Sequence, residues 1–214
     1  LAALFAAGRS PHCSFVRAVR AVAHERGLIQ TKDRILAASR LVETDAQRFR
    51  RWRTPYGDFW IPPGQDYGLP FNLAEQAHAI YGTPGQAFGG GDVVLDCGAN
   101  VGVFARTALA AGARLVVAIE PAPENLECLR RNLAAEMAAG RVIIYPKGVW
   151  DEETELSLQV SPANPAADSF VLRPEGSEPA GAVPVTTIDK MVEELALSRV
   201  DFIKMDIEGA ERRA

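Results

Sequence analysis

The residues best placed to do chemistry are Asp96, Gly98, Ala99, Asn100 and Gly102, followed by Glu120 and Pro121. They sit where the apolar run Val93-Val94-Leu95 breaks into a glycine turn, and where the next apolar run, Leu115-Val116-Val117-Ala118-Ile119, closes on an acid. A Cβ at position 98 or 102 would block either a sharp turn or the approach of backbone to a ligand, so glycine suits both. Asp96 precedes the turn at the carboxyl end of its strand, where open α/β sheets bind ligands. Glu120 is placed to accept hydrogen bonds from two ribose hydroxyls. Together these residues describe half of a nucleoside site. Their spacing is Gly-x-x-x-Gly, which leaves the pyrophosphate cradle of a Gly-x-Gly-x-x-Gly loop incomplete, and the acid suits a neutral nucleoside better than a phosphorylated ribose.

The elements that must hold this loop follow from periodicity. Val93 to Leu95 reads as a strand buried on both faces of a parallel sheet. The helix after it places Val101, Phe104, Ala105, Ala108 and Leu109 on one stripe and stops at Gly112. After the second strand, a helix with Pro123 and Glu124 in its first turn carries Leu126, Leu129 and Leu133 on its core face and Arg130 and Arg131 towards its end. Val142 to Tyr145 is a third strand, ending near Pro146-Lys147-Gly148-Val149-Trp150. This βαβαβ order calls for right-handed crossovers and a Rossmann-like doubly wound, mostly parallel sheet.

Beyond it the texture changes. Leu156, Leu158 and Val160 alternate, Phe170-Val171-Leu172 is short and apolar, and Val183 and Val185 alternate again, which reads as a small antiparallel excursion. Thr186 or Thr187 caps a helix bearing Ile188, Met191, Val192 and Leu195, and a last strand, Val200 to Met205, ends at Asp206-Ile207-Glu208-Gly209.

Residues 14–50 carry helical spacing in two segments, Phe15 to Val22 and Ile35 to Val42, separated near Gly27. Residues 1–53 are read as a helical N-terminal extension and 54–214 as the ligand-binding domain. From Thr54 to Pro70 the chain turns to Pro, Gly and aromatics, and a helix from Leu73 to Tyr81 carries Glu75. Residues 1–53 hold 11 Lys/Arg against 4 Asp/Glu, while the rest holds 12 against 23. Aromatics are not interleaved with that basic stretch for base stacking, so solvated helix faces are expected there and nucleic acid is not.

With 214 residues, 48% of them hydrophobic, the chain is long enough to bury a real core. No apolar run approaches the roughly 20 residues of a bilayer span. Cys13, Cys97 and Cys128 are odd in number and His12, His24 and His78 are scattered, so neither a disulfide framework nor a metal site is expected, and the setting is read as cytoplasmic. The first residue is Leu, and Glu211-Arg212-Arg213-Ala214 stops within an expected helix, which suggests a fragment incomplete at its C-terminus with an exposed, association-prone sheet edge.

Four stretches in order resemble the FkbM-type S-adenosylmethionine-dependent methyltransferases. They are Leu95 to Gly102, then Ala118-Ile119-Glu120-Pro121 with Asn125, Leu129 and Asn132, then Thr187-Ile188-Asp189, and finally Ile203 to Glu211. The resemblance covers roughly residues 54–214. It implies the class I methyltransferase fold with S-adenosylmethionine as cofactor, the glycine loop (Asp96, Gly98, Ala99, Asn100, Gly102) supporting the methionine part and Glu120 the ribose. Gly148, Val149 and Trp150 fall where such enzymes meet adenine; Trp150 could stack on the base, but core packing is the preferred reading for it. Glu75 matches an acid that reaches the cofactor's amino end, or else forms a surface salt bridge.

Asp206 then stands at the end of the strand beside the glycine strand and faces donor or acceptor. It is expected to position or deprotonate an acceptor hydroxyl, with Glu208 assisting. The alternative has Asp206 and Glu208 capping a helix near Gly209 while Lys204 pairs with one of them. The implied reaction is O-methylation of a small molecule or glycan. The rival readings are a non-catalytic cofactor-binding or scaffold fragment, and an NAD-dependent oxidoreductase.

Overall fold

The computed structural model describes residues 15–82, 88–160, 169–171 and 178–214. Helix α1 (Phe15–Ala38) is followed by β1 (Arg40–Thr44), β2 (Arg50–Thr54) and β3 (Gly57–Ile61), three antiparallel strands in the order β1-β2-β3. Gly27 does not divide α1, and Leu41 and Val42 stand in a strand instead of the second helical segment expected there. Turn chemistry further along is the cause. Oδ1 of Asp45 accepts from the amides of Gln47 and Phe49, each at 2.9 Å, and Arg48 takes φ 72, which folds the chain back on itself. The basic stretch is partly spent on this sheet, where Arg50, Arg51 and Arg53 pair with Asp66, Glu43 and Asp58.

Pro62 and Pro63 stop β3, and α2 (Gly68–Ala77) begins earlier than the spacing predicts. Pro70 falls in its first turn, where no amide hydrogen is needed, and the helix is finished before Ala79 turns to φ 49.

The central unit runs β4 (Val93–Cys97), α3 (Val103–Ala110), β5 (Leu115–Ile119), α4 (Pro123–Asn132), α5 (Ala134–Ala138) and β6 (Val142–Tyr145). It continues through β7 (Gly148–Val149), β8 (Thr154–Val160), β9 (Glu178–Thr186), α6 (Ile188–Glu194) and β10 (Phe202–Met205). The main sheet is parallel throughout, in the order β10-β4-β5-β6. The expected antiparallel excursion is the β8/β9 pair, to which β7 adds in parallel; Leu172 lies outside the described residues.

Both faces of the main sheet are covered. Val94 and Val116 pack against Ala105, Ala108, Leu126, Leu129 and Leu133 on α3, α4 and the residue after α4. Leu95, Cys97, Val117 and Ile119 face Met191 of α6 on the other side. Leu129 and Leu133 are fully buried, each worth about 1.5–3 kcal/mol of transfer free energy. The hairpin and α2 dock on this unit through Phe59, Ile61, Leu69, Leu73, Val101, Val103 and Cys128. Arg106 fastens the joint, donating to the carbonyls of Asp58 at 2.7 Å and Asn132 at 2.6 Å.

Thr187 is the cap of α6, its hydroxyl accepting from Lys190 N at 3.1 Å. After β10 the chain makes turns at residues 208–209 and 211–213 where a helix was expected. Oε1 of Glu211 reaches back to the amides of Ile207 and Gly209, holding that turn instead of beginning a helix. Strand β10 is at one edge of the main sheet with Ile203 43% exposed.

Candidate cofactor and active site

The chain passes from β4 outward to β5 and β6, then returns to the other side of β4 as β10. The carboxyl ends of β4 and β10 therefore border the point where strand order reverses, the place where open α/β sheets leave a crevice. A cavity of about 670 Å³ opens there. One wall is the central unit, with Gly98, Ala99, Asn100, Glu120, Pro121, Gly148, Val149, Asp206 and Glu208. The facing wall comes from the N-terminal part, with Gln65, Tyr67, Phe71, Asn72, Glu75 and Tyr81.

Gly98 stands where the ends of β4 and β10 come together. Its φ is 79, and a Cβ there would collide with the carbonyl oxygen of Asp206. The amides of Gly98 and Ala99 both donate to Ile119 O, at 3.0 and 2.9 Å, tying the loop to the end of β5. Gly102, at φ 89, starts α3, and a Cβ there would press on the Leu129 side chain at 2.9 Å. Between them, Asn100 keeps a buried Oδ1 with no hydrogen-bond partner among the described residues.

Glu120 is 5% exposed. Its Oε2 accepts from Asn100 N at 2.8 Å and its Oε1 from Ala122 N at 2.9 Å, with Nδ2 of Asn125 at 3.4 Å. Burial raises its pKa, and these donors oppose the rise. A carboxylate has about four lone-pair sites, so both oxygens can accept further hydrogen bonds beside these amides. Gln65 donates to Oδ1 of Asn125 at 3.0 Å, joining the N-terminal wall to the same network.

Lys204 lies beside Asp96 in the β10/β4 register, so both side chains project to the same side of the sheet. Its Nζ is 3.1 Å from Oδ1 of Asp96 and donates to Gly98 O at 2.7 Å. Lys204 thus turns inward to Asp96 and pairs with neither Asp206 nor Glu208. Asp96 is fully buried; burial pushes its pKa up, and Lys204 pulls it down.

Asp206 is exposed at the cavity, and its Oδ2 accepts from the Tyr81 hydroxyl at 2.6 Å. Glu75 is half-buried. Burial, then the charges of Asp206 and Glu208, push its pKa from 4.5 up to about 7. Burial, then Asp206, also raises Glu208.

The structure therefore brings Gly98, Ala99, Asn100, Glu120, Pro121, Gly148, Val149, Glu75, Asp206 and Glu208 to one cavity. Asp96 and Gly102 lie behind its wall. Trp150 is 9% exposed in a cluster with Val185 and Ala210, and it backs Phe170, a cavity residue, at a 6.4 Å centroid distance. Gln65 and Tyr81 also line the site, the first from a turn-rich stretch and the second from the end of an expected helix, and no sequence signal marks either.

A doubly wound parallel sheet, a glycine turn closed against its neighbouring strand and an acid gripping that turn define an α/β protein with a crevice at its strand ends. The chain belongs to the FkbM methyltransferase family, whose Methyltransferase FkbM domain matches residues 96–214. Among solved structures it is similar to methyltransferase FkbM from Methylobacillus flagellatus KT, with 18% identity over 72% of this chain and 40% of that one, at a TM-score of 0.44. It is also similar to a SAM-dependent methyltransferase from Thiobacillus denitrificans in complex with S-adenosyl-L-homocysteine, with 25% identity over 40% of each chain, at a TM-score of 0.26. The chain aligns with less than half the length of either. A comparison with curated proteins finds no match.

The residues present fit S-adenosylmethionine. The glycine turn leaves backbone exposed to a ligand, Asn100 offers an unpartnered buried oxygen, and Glu120 offers free lone pairs beside Gly148 and Val149.

Proposed function

We propose that the chain binds S-adenosylmethionine in this cavity and transfers its methyl group to a hydroxyl oxygen of a small molecule or glycan. The supporting observation is that the Gly98 turn, Glu120 and Asp206 open onto one cavity at the strand-order reversal. Bound there, the cofactor supplies a methyl group on a cationic sulfur, open to in-line displacement.

The Gly98–Asn100 turn holds the methionine part, Glu120 takes the ribose hydroxyls, and Gly148 and Val149 flank the base. Asp206 would orient the acceptor hydroxyl and take its proton as the C–O bond forms and the sulfur–methyl bond breaks, the neutral thioether leaving, with Glu208 assisting; Glu75 would face the amino end of the cofactor. Holding nucleophile and methyl group at near-attack distance supplies most of the rate. We assign Trp150 to packing. The acceptor is read as something other than nucleic acid, because aromatics are not interleaved with the basic N-terminal stretch for base stacking. A cytoplasmic setting is in keeping with the free, buried Cys97 and Cys128. Among the described residues no helix is long and apolar enough to cross a membrane.

The test is transfer of labelled methyl from S-adenosylmethionine to a panel of hydroxylated small molecules and glycans. Asp206→Asn should lower turnover about 100-fold or more, with affinity for S-adenosylhomocysteine kept within about threefold. Full turnover by Asp206→Asn removes Asp206 from the chemistry.

A further inference from the structure

Three carboxylates, those of Glu75, Asp206 and Glu208, line the cavity. Among the described residues none of them is paired with a lysine or arginine. The nearby cation, Lys204, is committed elsewhere: its Nζ is bound to Asp96, to Gly98 O at 2.7 Å and to Cys97 O at 3.3 Å. Tyr81 gives Asp206 a hydrogen bond but no charge. On the same wall, the buried Oδ1 of Asn100 is a further acceptor without a donor. The cavity surface therefore presents uncompensated negative charge in a partly desolvated place.

Resting on the cofactor reading above, we infer that Glu75, Asp206 and Glu208 discriminate the cationic methyl donor from its neutral-sulfur product by charge. S-Adenosylmethionine and S-adenosylhomocysteine share the adenosine, the ammonium and the carboxylate, and differ by one methyl group and the sulfonium charge. Any preference that follows pH and salt therefore reports the field at the sulfur. Methyl transfer removes that charge, and the product loses part of its hold on the site.

The state of Glu75 supports this. Burial raises its pKa, and then Asp206 and Glu208 raise it further, while Lys204 alone pulls it down. A bound cation favours its ionised form. Both ligands bring the ammonium, and the donor adds the sulfonium charge, so donor binding expels more of this proton than product binding does.

The experiment is calorimetric titration of the wild-type chain with each ligand at about pH 6 and about pH 8, either side of an ordinary histidine pKa. The donor should bind roughly fivefold or more tightly than the product at the higher pH. That advantage should shrink at the lower pH and at high salt. Heats measured in buffers of different ionisation enthalpy should show more proton release with the donor than with the product. Glu75→Gln should flatten the pH dependence of the ratio, and Asp206→Asn should lower the ratio itself. Equal affinities at both pH values, measured on the wild type and so independent of how any variant folds, overturn the inference and leave the cofactor reading standing. Absence of binding by either ligand overturns both.

Discussion

Oε2 of Glu120 accepts a hydrogen bond from the amide of Asn100 at 2.8 Å, so the acid that ends β5 grips the loop that follows β4. Two adjacent strand ends are locked together by a group that also faces the cavity. Glu120→Gln keeps the shape but replaces one oxygen with a donor that opposes an amide N–H. The expected result is a loss of about 1–3 kcal/mol in stability, with S-adenosylhomocysteine affinity down roughly tenfold or more. Chemical denaturation and calorimetry measure the two effects separately, and an unchanged affinity would remove Glu120 from the ribose role.

Gly98→Ala places a methyl group against the backbone of Asp206 at a φ of 79, and neither backbone can rotate away without opening the β4/β10 junction. A loss of about 2–4 kcal/mol is expected from strain and displaced pairing together. Gly102→Ala meets the Leu129 and Leu133 side chains rather than backbone, so although its φ of 89 is also strained it should cost less. Thermal unfolding of the two variants checks the order, and equal losses would contradict it.

Lys204 and Asp96 form a buried pair in which either partner alone is an uncompensated charge. Lys204→Met should cost about 3–5 kcal/mol. The double variant with Asp96→Leu should recover most of that loss, since apolar replacement of a buried pair is often neutral. A double variant as unstable as the single one would show that Lys204 acts mainly through Gly98 and Cys97.

Glu75 provides a pH dependence in the ligand-free protein. Its folded pKa is raised from 4.5 to about 7, so across that window the folded state holds a proton that the unfolded state has lost. Stability contributed by this group falls as pH rises through the window. Urea unfolding of Glu75→Gln against wild type should show the difference in slope there, small because Glu75 is half-exposed. Parallel slopes would contradict the assignment.

The parallel sheet was legible because β4 and β5 are short apolar runs punctuated by Gly98 and by Glu120-Pro121, signals carried by neighbouring residues. The helix stripe from Phe104 to Leu109 and the cap at Thr187 were legible for the same reason. What escaped was fixed by distant partners. Leu41 and Val42 fit a helix until Asp45 turns the chain. Lys204 reads as a partner for Asp206 or Glu208 until the β10/β4 register sets it beside Asp96. Tyr81 and Gln65 carry no local motif, and they matter only because the N-terminal wall closes over the cavity. Trp150, in the expected adenine position by sequence order, turns inward because Val185, Ala210 and Phe170 surround it.

The central claim is tested most directly by titrating the chain, under one set of conditions, with S-adenosylhomocysteine and with NAD. Saturable binding of S-adenosylhomocysteine is expected in the micromolar range, at about −8 kcal/mol or tighter, with no detectable binding of NAD. Micromolar binding of NAD with none of S-adenosylhomocysteine would contradict it.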